Sequence, residues 1–260
     1  MKYFYDTEFL EGTQKKRWWN IGKQKPTIDL ISIGIVCEDG REYYAVNKDF
    51  NLKEAWNRYD EKIQHFSGDM RNQFPNGIKY KEYWIRENVL KPIFNDLMKR
   101  WREDEEKATQ LRTSMDYNPT FQFKYKNLKK LIKKYGKTLE EIQLDLILDV
   151  FIEKSELYGY YSAYDHVALS WIFGKMLNLP DNVPMYTRDL KQMLDEQQEN
   201  RTKTISLLKE TGLYDKYKES EIIFPENLKE HPQYPKQENE HNALSDAIFV
   251  KNLYHFLNKV

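Results

Sequence analysis

Four carboxylates and one imidazole are the side chains whose types and spacing could do chemistry together in this chain. Asp6 and Glu8 stand one residue apart in KYFYDTEFL (2–10). Strand side chains alternate, so both carboxylates would project from one face, about 7 Å apart along the chain. At about 5 Å two such charges repel by roughly 3 kcal/mol at an effective dielectric near 20, so a buried pair wants a cation. A solvated strand face explains the pair equally well, because 41 acids in 260 positions produce about six acid-x-acid triplets by chance. Asp165 lies where LYGYYSA (157–163) gives way to a helical pattern, and a helix N-cap would account for it without chemistry. His241 and Asp246, in EHNALSDA (240–247), open the last helical stretch. There the acid falls among Ala243, Leu244, Ala247 and Ile248, on the side expected to face the protein.

The elements that must position these residues follow from periodicity. Residues 2–10 read as a strand of aromatic and apolar residues, 28–36 as a second strand broken by Gly34, and 41–46 as a third. The tight turn Glu38-Asp39-Gly40 makes the last two an antiparallel hairpin. Residues 50–77 are polar and irregular, a loop with short helical turns. Helical stripes run through 139–154, 165–178 and 242–258, with short strands expected at 157–163 and 183–187 between them. That order is an α/β domain: a mixed sheet with a three-strand antiparallel start, then alternating helix and strand, flanked by helices.

Composition bounds the class of protein. The chain has 260 residues, 40% hydrophobic and 32% charged, which is globular rather than disordered. No apolar run approaches the roughly 20 residues of a bilayer span. The N-terminus, MKYFYDTEF, lacks the apolar core of a signal peptide, so the expected location is the cytoplasm, with no membrane partner. A single cysteine, Cys37, excludes an internal disulfide and a cysteine-cluster zinc site. Forty-one basic residues balance 41 acidic ones, yet 11–27 carries +4, 97–137 carries +7 and 138–260 carries −8. A partner feels those local fields, since distant charges are screened beyond about 8 Å. Neutrality therefore excludes nothing.

Together the acids and the histidine, in the order D-x-E, D, H-x4-D, resemble the DEDDh 3′–5′ exonucleases of the ribonuclease H-like superfamily. The blocks YFYDTEFLE (3–11), LISIGIVCEDGREYYAV (30–46), SAYDHVAL (162–169), VPMYTRDLKQ (183–192) and HNALSDA (241–247) are similar to its small bacterial and phage exoribonuclease branch, first known from mycobacteria. The resemblance implies a ribonuclease H-like fold and two divalent ions, Mg²⁺ or Mn²⁺, on Asp6, Glu8, Asp165 and Asp246. Oxygen ligation suits such hard cations. It implies that paired ions about 4 Å apart assist an in-line displacement, with His241 as the general base. Nucleoside 5′-monophosphates would leave one at a time from RNA 3′ ends. Phe9 and Leu10 would line the pocket of the terminal base, core packing being the alternative for both, and Arg188 would reach a phosphate or pair with Asp189.

Compact members of that branch are shorter, so the surplus falls in insertions near 11–27, 97–137 and 200–238 of a single domain. Trp18 and Trp19, beside Lys15, Lys16 and Arg17, combine stacking faces with phosphate-seeking charge; anchoring a surface loop is the alternative. Residues 124–135 form a basic amphipathic helix, either a solvated face, a nucleic-acid contact or a weak membrane binder. A DNA exonuclease using the same site, and a nucleic-acid-binding protein without catalysis, are the rival readings. A homodimer is compatible with the branch.

Overall fold

Residues 1–13, 26–110, 122–218 and 225–259 are described by the structure, a computed structural model. The chain divides into two units, Met1–Asn47 with Lys137–Val260, and Lys48–Gly136. In the first unit, β1 (Lys2–Thr13) is covered on both faces: Tyr3 and Tyr5 enter one core cluster and Phe4 another. Strand β2 (Pro26–Cys37) runs antiparallel to β1 with Asp6 opposite Gly34, and β3 (Glu42–Val46) returns antiparallel to β2. The expected hairpin is therefore present. A register shift between Glu8 and Phe9 ends the regular β1–β2 ladder just past the two acids.

The second unit holds α1 (Leu52–Asn57) and a hairpin of β4 (Asp60–Gln64) and β5 (Ile78–Glu82) around α2 (Asp69–Gln73). Helices α1 and α2 are the short helical turns expected over 50–77, and β4 corrects the expectation that the rest of that segment is loop. The strands DEKIQ and IKYKE are exposed almost throughout, so no buried alternate face marks them in sequence. Helix α3 (Lys91–Gln110), entered through a π-helical turn at Arg86–Leu90, buries Ile93, Leu97 and Trp101. Helix α4 (Tyr125–Tyr135) buries Leu128, Leu131 and Ile132, as the amphipathic pattern requires.

The chain then returns to the first unit. Helix α5 (Leu139–Asp145) starts on a capping box of Thr138 and Glu141 and runs on as a π-helical turn, Leu146–Val150. Strand β6 (Glu156–Gly159) lies parallel to β1, pairing only with Lys2–Phe4. It stops short of the expected 163 because Tyr161 adopts a left-handed backbone, φ 56°. Helix α6 (Ala163–Ile172) likewise ends before the expected 178, broken at Gly174 (φ 86°), which leaves Met176 exposed in a 3₁₀ turn. The strand expected at 183–187 is instead β7 (Arg188–Asp189), parallel to β6; Met185 and Tyr186 point to solvent. Helices α7 (Leu190–Glu210), α8 (Tyr214–Tyr217) and α9 (Ala243–Leu257) complete the unit. In α9, Ile248 is exposed and Phe249 takes the buried place expected for it.

The result is an α/β unit with a mixed five-stranded sheet in the order β3-β2-β1-β6-β7. Residues of α5 and α6 pack on the Tyr3–Tyr5 face, those of α7 and α9 on the Phe4 face. By alternation Asp6 and Glu8 share the α9 face, and Thr7 the α6 face. Among the described residues no helix is long and apolar enough to cross a membrane.

Gly34 lets α9 reach the sheet. A Cβ there would lie 2.3 Å from the backbone of Ala243 and Leu244, in the first turn of α9. Gly34→Ala should push that turn away and cost about 1–3 kcal/mol of overpacking. The expected signature is a lowered Tm together with a loss of turnover, because Asp246 rides on the displaced turn.

Candidate active site

The five residues singled out by the sequence meet in the first unit. Asp6 is half-buried on β1, while Glu8, Asp165 and Asp246 are 9%, 6% and 7% exposed. Three buried carboxylates in so small a unit are rare unless something compensates them.

Asp165 is not the N-cap that its place in the sequence allowed. Ser162 occupies the cap position, and Asp165 sits within the first turn, on the buried side of α6. Its Oδ1 accepts hydrogen bonds from the Thr7 backbone N–H (3.0 Å) and the Thr7 hydroxyl (2.6 Å). The strand ladder explains this geometry. β6 pairs with β1 only as far as Phe4, so the Thr7 amide is left for another acceptor, and Asp165 supplies it. Both Thr7 bonds fall on one oxygen, which leaves Oδ2 as the oxygen that Thr7 does not hold.

Asp246 is held from the other side. Asn242 caps α9 by accepting from the Ser245 amide. Asp246 Oδ2 accepts from the His241 backbone N–H (2.9 Å), and Oδ1 from the Gln237 side-chain amide (2.5 Å). The loop does this by turning through two left-handed residues, Asn239 (φ 49°) and His241 (φ 66°). Such backbone is uncommon outside glycine and points to an imposed conformation. It leaves the imidazole half-exposed, with Nδ1 3.9 Å from Glu8 Oε1. Ligand atoms of Glu8, His241 and Asp246 all lie within 4.8 Å of one another.

Electrostatics follow from this crowding. Burial first, then the charges of Asp165, Glu8 and Asp246, lift the Asp6 carboxyl well above its ordinary range. Burial, then Asp246 and Asp165, push Glu8 up to about 8. Burial raises Asp165 to about 6, with the two Thr7 bonds pulling the other way. Asp246 is raised by burial and held back by Gln237 and His241. Burial leads at all four, neighbouring acids follow at Asp6 and Glu8, and among the described residues no lysine or arginine is a cause of these shifts. An all-carboxylate set that repels itself, with one imidazole at its edge, fits a hard divalent cation.

Thr7 therefore orients one of the candidate ligands. Thr7→Val keeps the shape and removes the hydroxyl bond, so metal affinity should fall about 10–100-fold, as for other partners of ligating groups. Thr7→Ser should restore it, and calorimetric titration with Mn²⁺ reads both.

The substrate-side residues are distributed differently. Phe9 is half-buried, its ring 5.7 Å from that of Tyr164. Leu10 is 3% exposed and part of the core, the packing alternative open to it. Arg188 is exposed on β7, 3.9 Å from Glu156 rather than paired with Asp189. Asp189 instead accepts from the Tyr161 and Ser162 amides and caps α7. Trp18 and Trp19, and most of the 11–27 insertion, lie outside the described residues. Sequence reasoning missed Thr7, Gln237 and Thr187. The Thr187 hydroxyl bonds Tyr5 (2.6 Å) and His166 (3.0 Å), tying the segment before β7 to β1 and α6. Its signal lay in the MYTRDL and SAYDHVAL blocks; Gln237 carries none that spacing reveals.

No family model matches the chain. Two proteins from strains of Mycobacterium tuberculosis, each named 3′-5′ exoribonuclease, are each 29% identical to it over 196 residues, 75% of this chain and 75% of theirs.

Proposed function

We propose that this chain is a divalent-metal-dependent 3′–5′ exoribonuclease of the DEDDh type, with a ribonuclease H-like fold. The observation that carries the reading is the meeting of Asp6, Glu8, Asp165 and Asp246, from a strand and two helices, with His241 at their edge. The two mycobacterial relatives named 3′-5′ exoribonuclease support the direction of attack and RNA as the substrate. In this reading one catalytic domain carries the insertions near 11–27, 97–137 and 200–238 and works in the cytoplasm.

Asp6, Glu8, Asp165 and Asp246 would hold two Mg²⁺ or Mn²⁺ ions. When bound, the ions supply Lewis acidity to the scissile phosphodiester and to the attacking water. The chain supplies the rest. His241 takes a proton from the attacking water, and its half-exposed ring can pass that proton to solvent. Thr7 fixes Asp165, and Gln237 with the His241 amide fixes Asp246, so the carboxylates do not have to reorganise during the reaction. Phe9, backed by Tyr164, offers a face to the terminal base, and Arg188 offers charge to a phosphate. The attack breaks the bond to the 3′ oxygen of the penultimate nucleotide, which takes up a proton from solvent as a 3′ hydroxyl, and frees a nucleoside 5′-monophosphate.

Matched RNA and DNA single strands test the substrate. RNA should be shortened faster, and a preference for DNA would make the chain a DNA exonuclease using the same residues. Binding of either strand without cleavage would leave a nucleic-acid-binding protein.

A further inference from the structure

The Lys48–Gly136 unit differs sharply in charge from the rest of the chain. It carries 20 basic and 13 acidic residues, a charge of +7, while the rest of the chain carries 21 and 28, a charge of −7. Its most basic element is α4: residues 124–135 contain six lysines and no acid. Leu128, Leu131 and Ile132 of α4 are at most 3% exposed, so the apolar face that a bilayer would need is already inside the unit. Lys126, Lys129 and Lys133 are exposed and fall on one helical face.

Aromatic rings run away from the start of that helix. Tyr125 meets Trp56 edge-on (5.8 Å), and Arg86 lies over both Trp56 (4.8 Å) and Tyr83 (3.8 Å). Tyr83 leads to Tyr59 (5.8 Å), which Lys81 covers at 4.0 Å. Cation and ring thus alternate from α4 to the β4–β5 hairpin. On that hairpin and beside it, Tyr59, Tyr80 and Trp84 are more than 40% exposed. Exposed rings with cations near them, and a helix face of three exposed lysines whose neighbour Lys134 pairs with Asp104 of α3, match the two chemistries of a single strand: stacking bases and a phosphate chain.

We infer that the 48–136 unit is a docking surface for single-stranded RNA, with the lysine face of α4 on the phosphates and the exposed rings of Tyr59, Tyr80 and Trp84 on the bases. This rests on the exoribonuclease reading for its choice of RNA, and it adds a second place where the strand is held besides the carboxylates. An acidic protein surface would use the lysines but not the rings.

Two variants of the full-length protein test it. Binding of a 5′-labelled single-stranded RNA of roughly 20 nucleotides is measured by anisotropy in chelator across a salt series, and turnover of a dinucleotide is measured with Mn²⁺. The triple variant Lys126→Glu, Lys129→Glu, Lys133→Glu should weaken RNA binding about thirtyfold and flatten the salt slope by roughly two units, near 0.7 for each phosphate no longer neutralised. Tyr59→Ala should weaken binding roughly tenfold with the salt slope unchanged. Dinucleotide turnover and Tm should stay at wild-type values in both. Unchanged RNA affinity in the triple variant overturns the inference, as does tighter wild-type binding to anionic vesicles or to an acidic polypeptide than to RNA. Equal loss of dinucleotide turnover also overturns it, because the lysines would then belong to the reaction. If the triple variant melts early, Lys→Gln at the same three positions gives the same readouts. A wild type that binds RNA through these residues but cleaves nothing sustains the docking surface and removes the exoribonuclease reading.

Discussion

Asp6→Asn should abolish metal-dependent cleavage and at the same time make the metal-free protein more stable. Loss of a ligand removes several kcal/mol of charge stabilisation from the reaction, roughly a thousandfold or more in rate. The stability effect has the opposite sign, for a reason visible in the site. Burial and the neighbouring carboxylates raise Asp6, and they raise Glu8 to about 8 against an ordinary 4.5. Between those two values the folded chain keeps a proton that the unfolded chain releases. Stability of the metal-free protein therefore falls as pH rises through that window. Replacing Asp6 with a neutral isostere removes one of the repelling charges, so Tm in chelator at pH 8 should rise, by about 2–4 °C per kcal/mol relieved. Wild type should gain more Tm from Mg²⁺ at pH 8 than at pH 6, since ligands must be deprotonated to bind. Asp6→Asn should lose that gain. Thermal melts at the two pH values, with Mg²⁺ and with chelator, check all of this. A variant that melts earlier in chelator and still responds to Mg²⁺ would contradict the assignment.

The second large effect is expected at His241. Its left-handed backbone makes asparagine the better test than alanine, because asparagine tolerates positive φ and keeps the turn that clamps Asp246. If the imidazole moves the proton of the attacking water, His241→Asn should lower kcat by about 10²–10⁴ with KM and metal affinity unchanged. A nitrogen of its ring nevertheless stands close enough to Glu8 and Asp246 to be a ligand atom. Calorimetric titration with Mn²⁺ separates the roles: an intact isotherm identifies the base, and a weakened one identifies a ligand.

The site was legible in sequence to the extent that its chemistry depends on residue type. Asp6 and Glu8 share a strand face because strands alternate, and Asp246 was expected to face the protein from the apolar residues around it. Both are local rules. What holds the site together was not legible, since it depends on where other elements stop. Thr7 reaches Asp165 only because β6 stops pairing with β1 after Phe4. Gln237 reaches Asp246 only through the left-handed turns at Asn239 and His241. Gly34 did leave a signal, a gap in an apolar strand, but the helix that needs the gap lies more than 200 residues further along.

The fold shows the same division. Strands β1 to β3 and helix α9 follow from strong periodicity, whereas the two-residue β7 lies outside the strand expected at 183–187. Helix α7 buries only Leu190, Leu194, Arg201 and Ile205 among its 21 residues, too sparse a stripe to read. In α3 the stripe Ile93, Leu97, Trp101 was present, and the charges of KRWREDEE (99–106) around Trp101 masked it. The β4–β5 hairpin has almost no buried face at all, so only its partner strand specifies it.

One measurement bears most directly on the central claim, that these carboxylates form a metal-dependent site for removing nucleotides from RNA 3′ ends. A 5′-labelled single-stranded RNA is incubated with the protein in Mg²⁺ or Mn²⁺, and in chelator, and the products are resolved to single nucleotides. The expected result is a ladder that shortens one nucleotide at a time from the 3′ end with metal, nucleoside 5′-monophosphates as the released product, and intact RNA in chelator. Internal cuts, or shortening that proceeds equally in chelator, would contradict it.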